Sequence, residues 1–108
     1  MTLTDLISLS GIPEDRIAKI DFPAETELPF ATWINKTPQT ISADGRTVAV
    51  IPRIAVEIYC EPEDEETHIR FENALMDKGI CFSAAAGYLG QDQQMDMWVY
   101  EFNRKEEY

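Results

Sequence analysis

Apolar and polar positions alternate most regularly between Val48 and Cys60. The even positions, Val48, Val50, Pro52, Ile54, Val56, Ile58 and Cys60, form an unbroken apolar line. The odd positions, Ala49, Ile51, Arg53, Ala55, Glu57 and Tyr59, are mixed. A period of two with one apolar face predicts a long strand covered on one side. Pro52 has no amide hydrogen to give to a ladder, so it marks an edge, a bulge or a break between two shorter strands.

The same stretch runs into an acidic helix predicted over Glu63–Lys78. Pro62 suits a helix start, and Glu63, Asp64, Glu65 and Glu66 crowd the first turn, where the helix dipole favours negative charge. Glu66, Arg70, Asn73 and Asp77 share one face, with Glu66 and Arg70 four residues apart. Ile69, Phe71, Leu75 and Met76 occupy the other side, which predicts a helix lying on a sheet. Lys78 and Gly79 form its stop.

Upstream, Thr2 and Asp5 have capping-box spacing ahead of Leu3, Leu6, Ile7 and Leu9, so a short N-terminal helix is expected to end at Ser10-Gly11. Pro13, Glu14 and Asp15 point to a second short helix or single turn from Pro13 to Lys19, anchored by Ile12, Ile17 and Ile20. Asp21 to Glu27 reads as a loop. Leu28 to Asn35 has the aromatic and β-branched content of a strand. Lys36 to Ala43 is polar and contains Pro38, so it reads as a loop. Asp44-Gly45 is a turn signal that delivers the chain antiparallel to the Leu28 strand. Ile80 to Tyr88 and Met95 to Phe102 are the remaining strands, joined by a turn over Gly90–Gln94. In the last strand Trp98, Tyr100 and Phe102 share a face opposite Met97 and Val99. Arg104–Tyr108 is a charged tail expected to fray.

These elements predict one α+β domain over residues 1–108. An N-terminal helical segment covers about residues 2–20, and a sheet-and-helix core about 28–103. The sheet is mainly antiparallel and four-stranded, with the main helix and the short N-terminal helix packed on one face. Its other face is left open, so some of the alternating aromatics could line an oligomer interface.

Composition adds charge to this picture. Twenty acidic residues against nine basic ones give a net charge of −11. Such a chain repels a nucleic-acid backbone and an anionic membrane surface, so neither is expected as a partner. The acidity serves solubility, a basic partner surface, or a channel wall past which DNA slides without sticking. No apolar run has membrane-helix length, and the start lacks the pattern of a signal peptide, so a cytoplasmic site of synthesis is expected.

Candidate chemistry is sparse. Cys60 and Cys81 would approach one another if their strands paired, but two cysteines make no disulfide framework, and both are expected as small buried thiols. His68 is the sole histidine. No third group or oxyanion motif accompanies a Cys60–His68 or Cys81–His68 pair. Cys60, His68 and Cys81 lack zinc spacing, and the Glu61–Glu66 run lacks a calcium loop's pattern. Catalytic, cofactor and metal residues are therefore each expected to be none.

One resemblance runs through the chain. Phe22-Pro23 with Leu28-Pro29-Phe30, the turn Ala43-Asp44-Gly45 and the strand end Val56-Glu57-Ile58-Tyr59 occur in this order. They are followed by Phe71-Glu72-Asn73-Ala74-Leu75, Gly79-Ile80 and Tyr100-Glu101-Phe102. This order resembles small tail-completion and tail-terminator proteins of long-tailed bacteriophages, from about Phe22 to Phe102. Cys60 departs from it, standing where a hydroxyl residue is more usual. The resemblance implies a non-enzymatic virion protein, assembled in the bacterial host cytoplasm. It would form a ring, often a hexamer, at the head-proximal end of the tail tube and join the tube to the head–tail connector. An acidic inhibitor or DNA mimic that fills a basic groove of a host protein is the alternative. On the first reading, the loops Lys36–Ala43 and Gly90–Gln94 are expected to touch neighbouring subunits or the tube.

Overall fold

The computed structural model describes residues 1–20, 27–90 and 94–108. The fold is α+β, a mixed and mostly antiparallel sheet with one main helix and one short N-terminal helix. The elements are α1 (Leu3–Ser8), a 3-10 turn (Glu14–Arg16), β1 (Ile17–Lys19), β2 (Phe30–Ala43), β3 (Arg46–Cys60), α2 (Thr67–Asp77), β4 (Phe82–Leu89) and β5 (Met95–Asn103). The sheet has five strands in the order β1-β2-β3-β5-β4, one more than the pattern predicts. The extra strand is β1, which pairs parallel with β2 through Ile17–Ala31, Ala18–Thr32 and Lys19–Trp33. Three residues are too few to show a period, so the segment reads as helix from its proline and acids. Ile12 is buried there and Ile17 partly buried, whereas Ile20 is exposed with φ +78° and anchors nothing.

The capping box of α1 is made: the Asp5 amide donates to Thr2 Oγ1 and the Thr2 amide to Asp5 Oδ2. Leu6 and Ile7 of that helix join Ile12, Ala31, Ile54, Val56, Ile58, Phe71, Leu75, Tyr100 and Phe102 in the core. Three edge-on or tilted ring contacts build its centre: Phe71 on Tyr100 at 5.3 Å, Phe71 on Phe102 at 6.3 Å, and Phe82 on Tyr100 at 5.8 Å. Such pairs add to the area they bury.

The main helix is shorter than Glu63–Lys78. The chain makes a turn after Cys60, with the Asp64 amide on the Glu61 carbonyl. Asp64 then accepts from the amides of Glu66 and Thr67 and from the Thr67 hydroxyl, so helical structure begins at Thr67. An aspartate that binds the backbone ahead of it competes with helix and caps it instead. The Arg70–Glu66 pair forms at 3.2 Å. Phe71 and Leu75 are buried as expected, but Ile69 and Met76 are exposed, and His68 and Ala74 take their place on the inner side. At the far end Gly79 has φ +69°, the Gly79 amide donates to Met76 and the Ile80 amide to Leu75. That is a Schellman stop, which needs a residue tolerant of positive φ.

The C-terminal residues are tied down rather than frayed. The Tyr108 amide donates to the Met1 carbonyl, its ring packs edge-on against Phe102, and its hydroxyl donates to the Asn103 carbonyl.

Candidate functional site

The feature that distinguishes this sheet is how far β2 and β3 outrun it. Their antiparallel register extends from Phe30–Tyr59 to Ala43–Arg46. The other neighbour of β3, strand β5, pairs with it only from Arg53 to Cys60. Residues 37–52 therefore form a two-stranded ribbon without further strand partners among the described residues. The polar stretch Lys36 to Ala43, read from the sequence as a loop, is one strand of this arm. At about 3.3 Å per residue the arm reaches roughly 25 Å. It accords with a molecule of 51 × 29 × 21 Å.

Local chemistry explains why these residues still form strands. Lys36 pairs with Arg53 and Gln39 with Ile51, so Thr37 and Pro38 oppose Pro52 in a bulge. Neither proline has an amide hydrogen, and placing both in one irregularity sacrifices the fewest ladder bonds. A second bulge leaves Val48 as the extra residue between Ala49 and Thr47. At the tip, Asp44 and Gly45 have φ values of +53° and +77°. Two successive positive φ values make the primed turn whose twist matches a tight hairpin, for which Asp-Gly is a preferred pair.

The arm leaves apolar side chains in solvent. Val50 is 59% exposed, and Val48 and Ile41 are exposed with it. Val50 pairs with Thr40 and Ala49 with Ile41, so Val50 and Ile41 project from opposite faces. The unbroken apolar line of the sequence is thus core only from Ile54 onward.

A groove of about 380 Å³ lies at the arm's base, lined by Leu3, Trp33, Pro52, Arg104, Lys105 and Glu106. Lys19 Nζ and the Arg104 guanidinium both lie over the Trp33 ring, at 5.2 and 5.3 Å. Arg104 also donates to Asn35 Oδ1 from its side chain and to the Pro52 carbonyl from its amide. Arg53 donates to Asn103 Oδ1, and Lys36 lies 3.9 Å from Glu101. Six of the nine basic residues, Lys19, Lys36, Arg46, Arg53, Arg104 and Lys105, gather on or around the arm. The opposite end of the sheet, where Cys60 pairs with Asp96, leads into Glu61, Glu63, Asp64, Glu65 and Glu66. Most of the basic residues thus gather at the arm's base, interspersed with Glu101 and Glu106, while the acidic run lies at the other end.

The residues singled out for possible chemistry do not converge. Cys60 and Cys81 are not neighbours, because β5 lies between β3 and β4. Cys60 is level with Asp96 and Cys81 adjoins the Phe82–Phe102 level, seven strand positions away. Cys60 is buried with its thiol 4.0 Å from the Asp64 carbonyl; Cys81, expected to be buried, is exposed because it precedes an edge strand. Burial, with Asp64 and Asp96 nearby, pushes the Cys60 thiol up to about 11. His68 makes no pair with either cysteine and stacks on Trp98 at 3.8 Å and 3°. Both His68 Nδ1 and Trp98 Nε1 are buried without a hydrogen-bond partner. Among the described residues no three His, Cys, Asp or Glu side chains gather as a metal site, and no helix is long and apolar enough to cross a membrane.

The sheet face away from α2 carries a polar cluster in which Thr32 and Tyr59 hydroxyls donate to Glu57 Oε2 at 3.3 and 2.6 Å, and Phe30 stacks on Tyr59 at 4.7 Å. The turn over Gly90–Gln94, expected to touch neighbours, falls mostly on residues 91–93, outside the described ones. So does most of the Asp21–Glu27 loop. No protein-family model and no curated protein matches this sequence.

Proposed function

We propose that this chain is a non-enzymatic assembly subunit of a bacteriophage or prophage tail, a tail-completion or terminator protein that forms a ring at the head-proximal end of the tube. The observation that carries the reading is the arm: a β-ribbon that leaves the core with apolar side chains on both faces and an outer edge that no strand among the described residues pairs. A monomer gains nothing from ordering such a ribbon in solvent, since exposed apolar side chains and open strand edges are liabilities that natural sheets otherwise suppress. In a ring, each arm finds a neighbour, and contacts that repeat head to tail close when their rotation divides a full turn.

The acidic surface suits a subunit through whose ring DNA passes without being held. The partners are then further copies of the chain, six in all as the resemblance implies, the tail tube protein and the head–tail connector. The mechanism is to end tube polymerisation and offer a surface for joining. It is tested by adding the protein to polymerising tail tube protein of the same phage or prophage. Tubes of arrested length with the chain at one end are expected. Tubes that grow unchanged, with no chain bound, overturn the reading in favour of an acidic inhibitor of a basic host protein.

A further inference from the structure

We propose that the arm of one copy docks along β4 of a second copy, the outer edge of β2 pairing with the outer edge of β4. The inference rests on the ring-subunit reading for taking a second copy as the occupant, and adds which surfaces meet.

The first argument is the nature of β4. Its eight residues, Phe82–Leu89, pair only with β5 among the described residues. The strand holds no charge, no proline and no bulge, the devices that normally protect an edge. Its middle, Ser83-Ala84-Ala85-Ala86-Gly87, is exposed on both faces, so an approaching backbone meets only small side chains.

The second argument is the shelf beside it. α1 packs toward β1, at the other edge of the sheet, and Arg70 of α2 faces α1 near Gly11. The opposite flank of α2 therefore faces β4. Glu72 holds that flank, accepting from the Tyr100 hydroxyl, and Ile69 and Met76, seven residues apart, project from the solvent side of the helix. Both are exposed, as is Tyr88 on β4 at 59%. Most of the large exposed apolar side chains thus lie on the arm (Ile41, Val48 and Val50), on the outer side of α2 (Ile69 and Met76) and on β4 (Tyr88).

The third argument is fit in length and charge. Past β1, whose pairing stops at Trp33, β2 runs on through residues 34–43, with the Thr37-Pro38 bulge inside that run, and is long enough to lie along the eight residues of β4. The two edges lie on opposite sides of the sheet, so the contact joins different patches and runs head to tail rather than as a twofold pair. The Leu89 end of β4 adjoins Asp96 and the acidic turn 61–66. Setting the cationic base of the arm against that end makes β2 antiparallel to β4 and brings unlike charges together.

The test uses two variants of the full chain, each altered only at exposed residues: Ile41→Glu with Val50→Glu on the arm, and Ala84→Glu with Ala86→Glu on β4. A third, Met76→Glu, probes the shelf without touching the sheet. Circular dichroism confirms folding, and sedimentation measures mass. Each variant is expected to weaken self-association roughly 30-fold or more, the scale of an interface hot spot. Mixing the arm variant with the β4 variant is then expected to yield a one-to-one pair, because one intact arm meets one intact edge and growth stops there. A wild-type ring whose mass survives all three variants overturns the contact and leaves the tail reading standing. A wild-type chain that stays monomeric up to about 1 mM, above the affinity of any specific contact of this kind, also overturns it, and the tube-arrest result then decides the tail reading alone.

Discussion

Tyr100 and Cys60 show what single residues contribute. The Tyr100 hydroxyl donates to Glu72 at 2.7 Å from within the core; burial first, then this bond and the Glu72 charge, push its ionisation well above the ordinary value. Both Tyr100 and Cys60 are held neutral by the fold, whereas the unfolded chain loses these protons sooner. The stability they supply is therefore complete below about pH 9 and is lost as pH rises toward 11 for Cys60, with Tyr100 adding to the loss above 10. Urea midpoints should fall over that window, and less steeply for Cys60→Val. The two thiols should also separate kinetically: an aromatic disulfide reagent at pH 8 titrates Cys81 at once and Cys60 only on unfolding. Two fast thiols would contradict the packing. At the acid side Asp64 works in the opposite sense. Desolvation raises it, but the Thr67 hydroxyl, the amides of Glu66 and Thr67, and His68 outweigh this and leave it lowered. Its cap is thus present above its ordinary range near pH 3.8 and is lost as pH falls below it.

Elements differ in how openly their residues announce them. β3, β5 and the stop of α2 are legible because each has a strong local signal: a two-residue period, alternating aromatics, and a glycine at positive φ. Gly79→Ala should cost about 1 kcal/mol, measured by denaturant unfolding, since alanine must adopt φ +69° there. An unchanged midpoint would show that the stop relaxes without loss. The arm strand of β2 is not legible, because Thr37-Pro38 and the polar residues after it carry loop chemistry. What makes them a strand is the register imposed by β3 and the Asp44-Gly45 turn. β1 is hidden for a similar reason: its pairing partner lies in a different part of the chain, and three residues carry no period. The start of α2 is obscured by acids that suit a first turn as well as a capped loop. The sequence points to exposed strand edges and an open sheet face as surfaces for contacts, and the large exposed apolar side chains lie mostly on the arm, the outer side of α2 and β4. Exposure depends on how far an element outruns its neighbours, which no local pattern records.

At the scale of the whole molecule, cations gathered at the base of the arm and an acidic run at the far end make the chain polar along its 51 Å axis. Such a body associates head to tail, and salt should weaken the association by screening the charges that align it. The apolar arm and the uncharged β4 edge supply the contact that remains at high salt. The most direct measurement is mass by light scattering on a sizing column, over a range of concentrations at low and high salt. The account predicts a discrete species, at about six times the 12.3 kDa subunit for a closed ring, giving way to smaller species on dilution. A single 12.3 kDa species under every condition would contradict self-assembly through the arm.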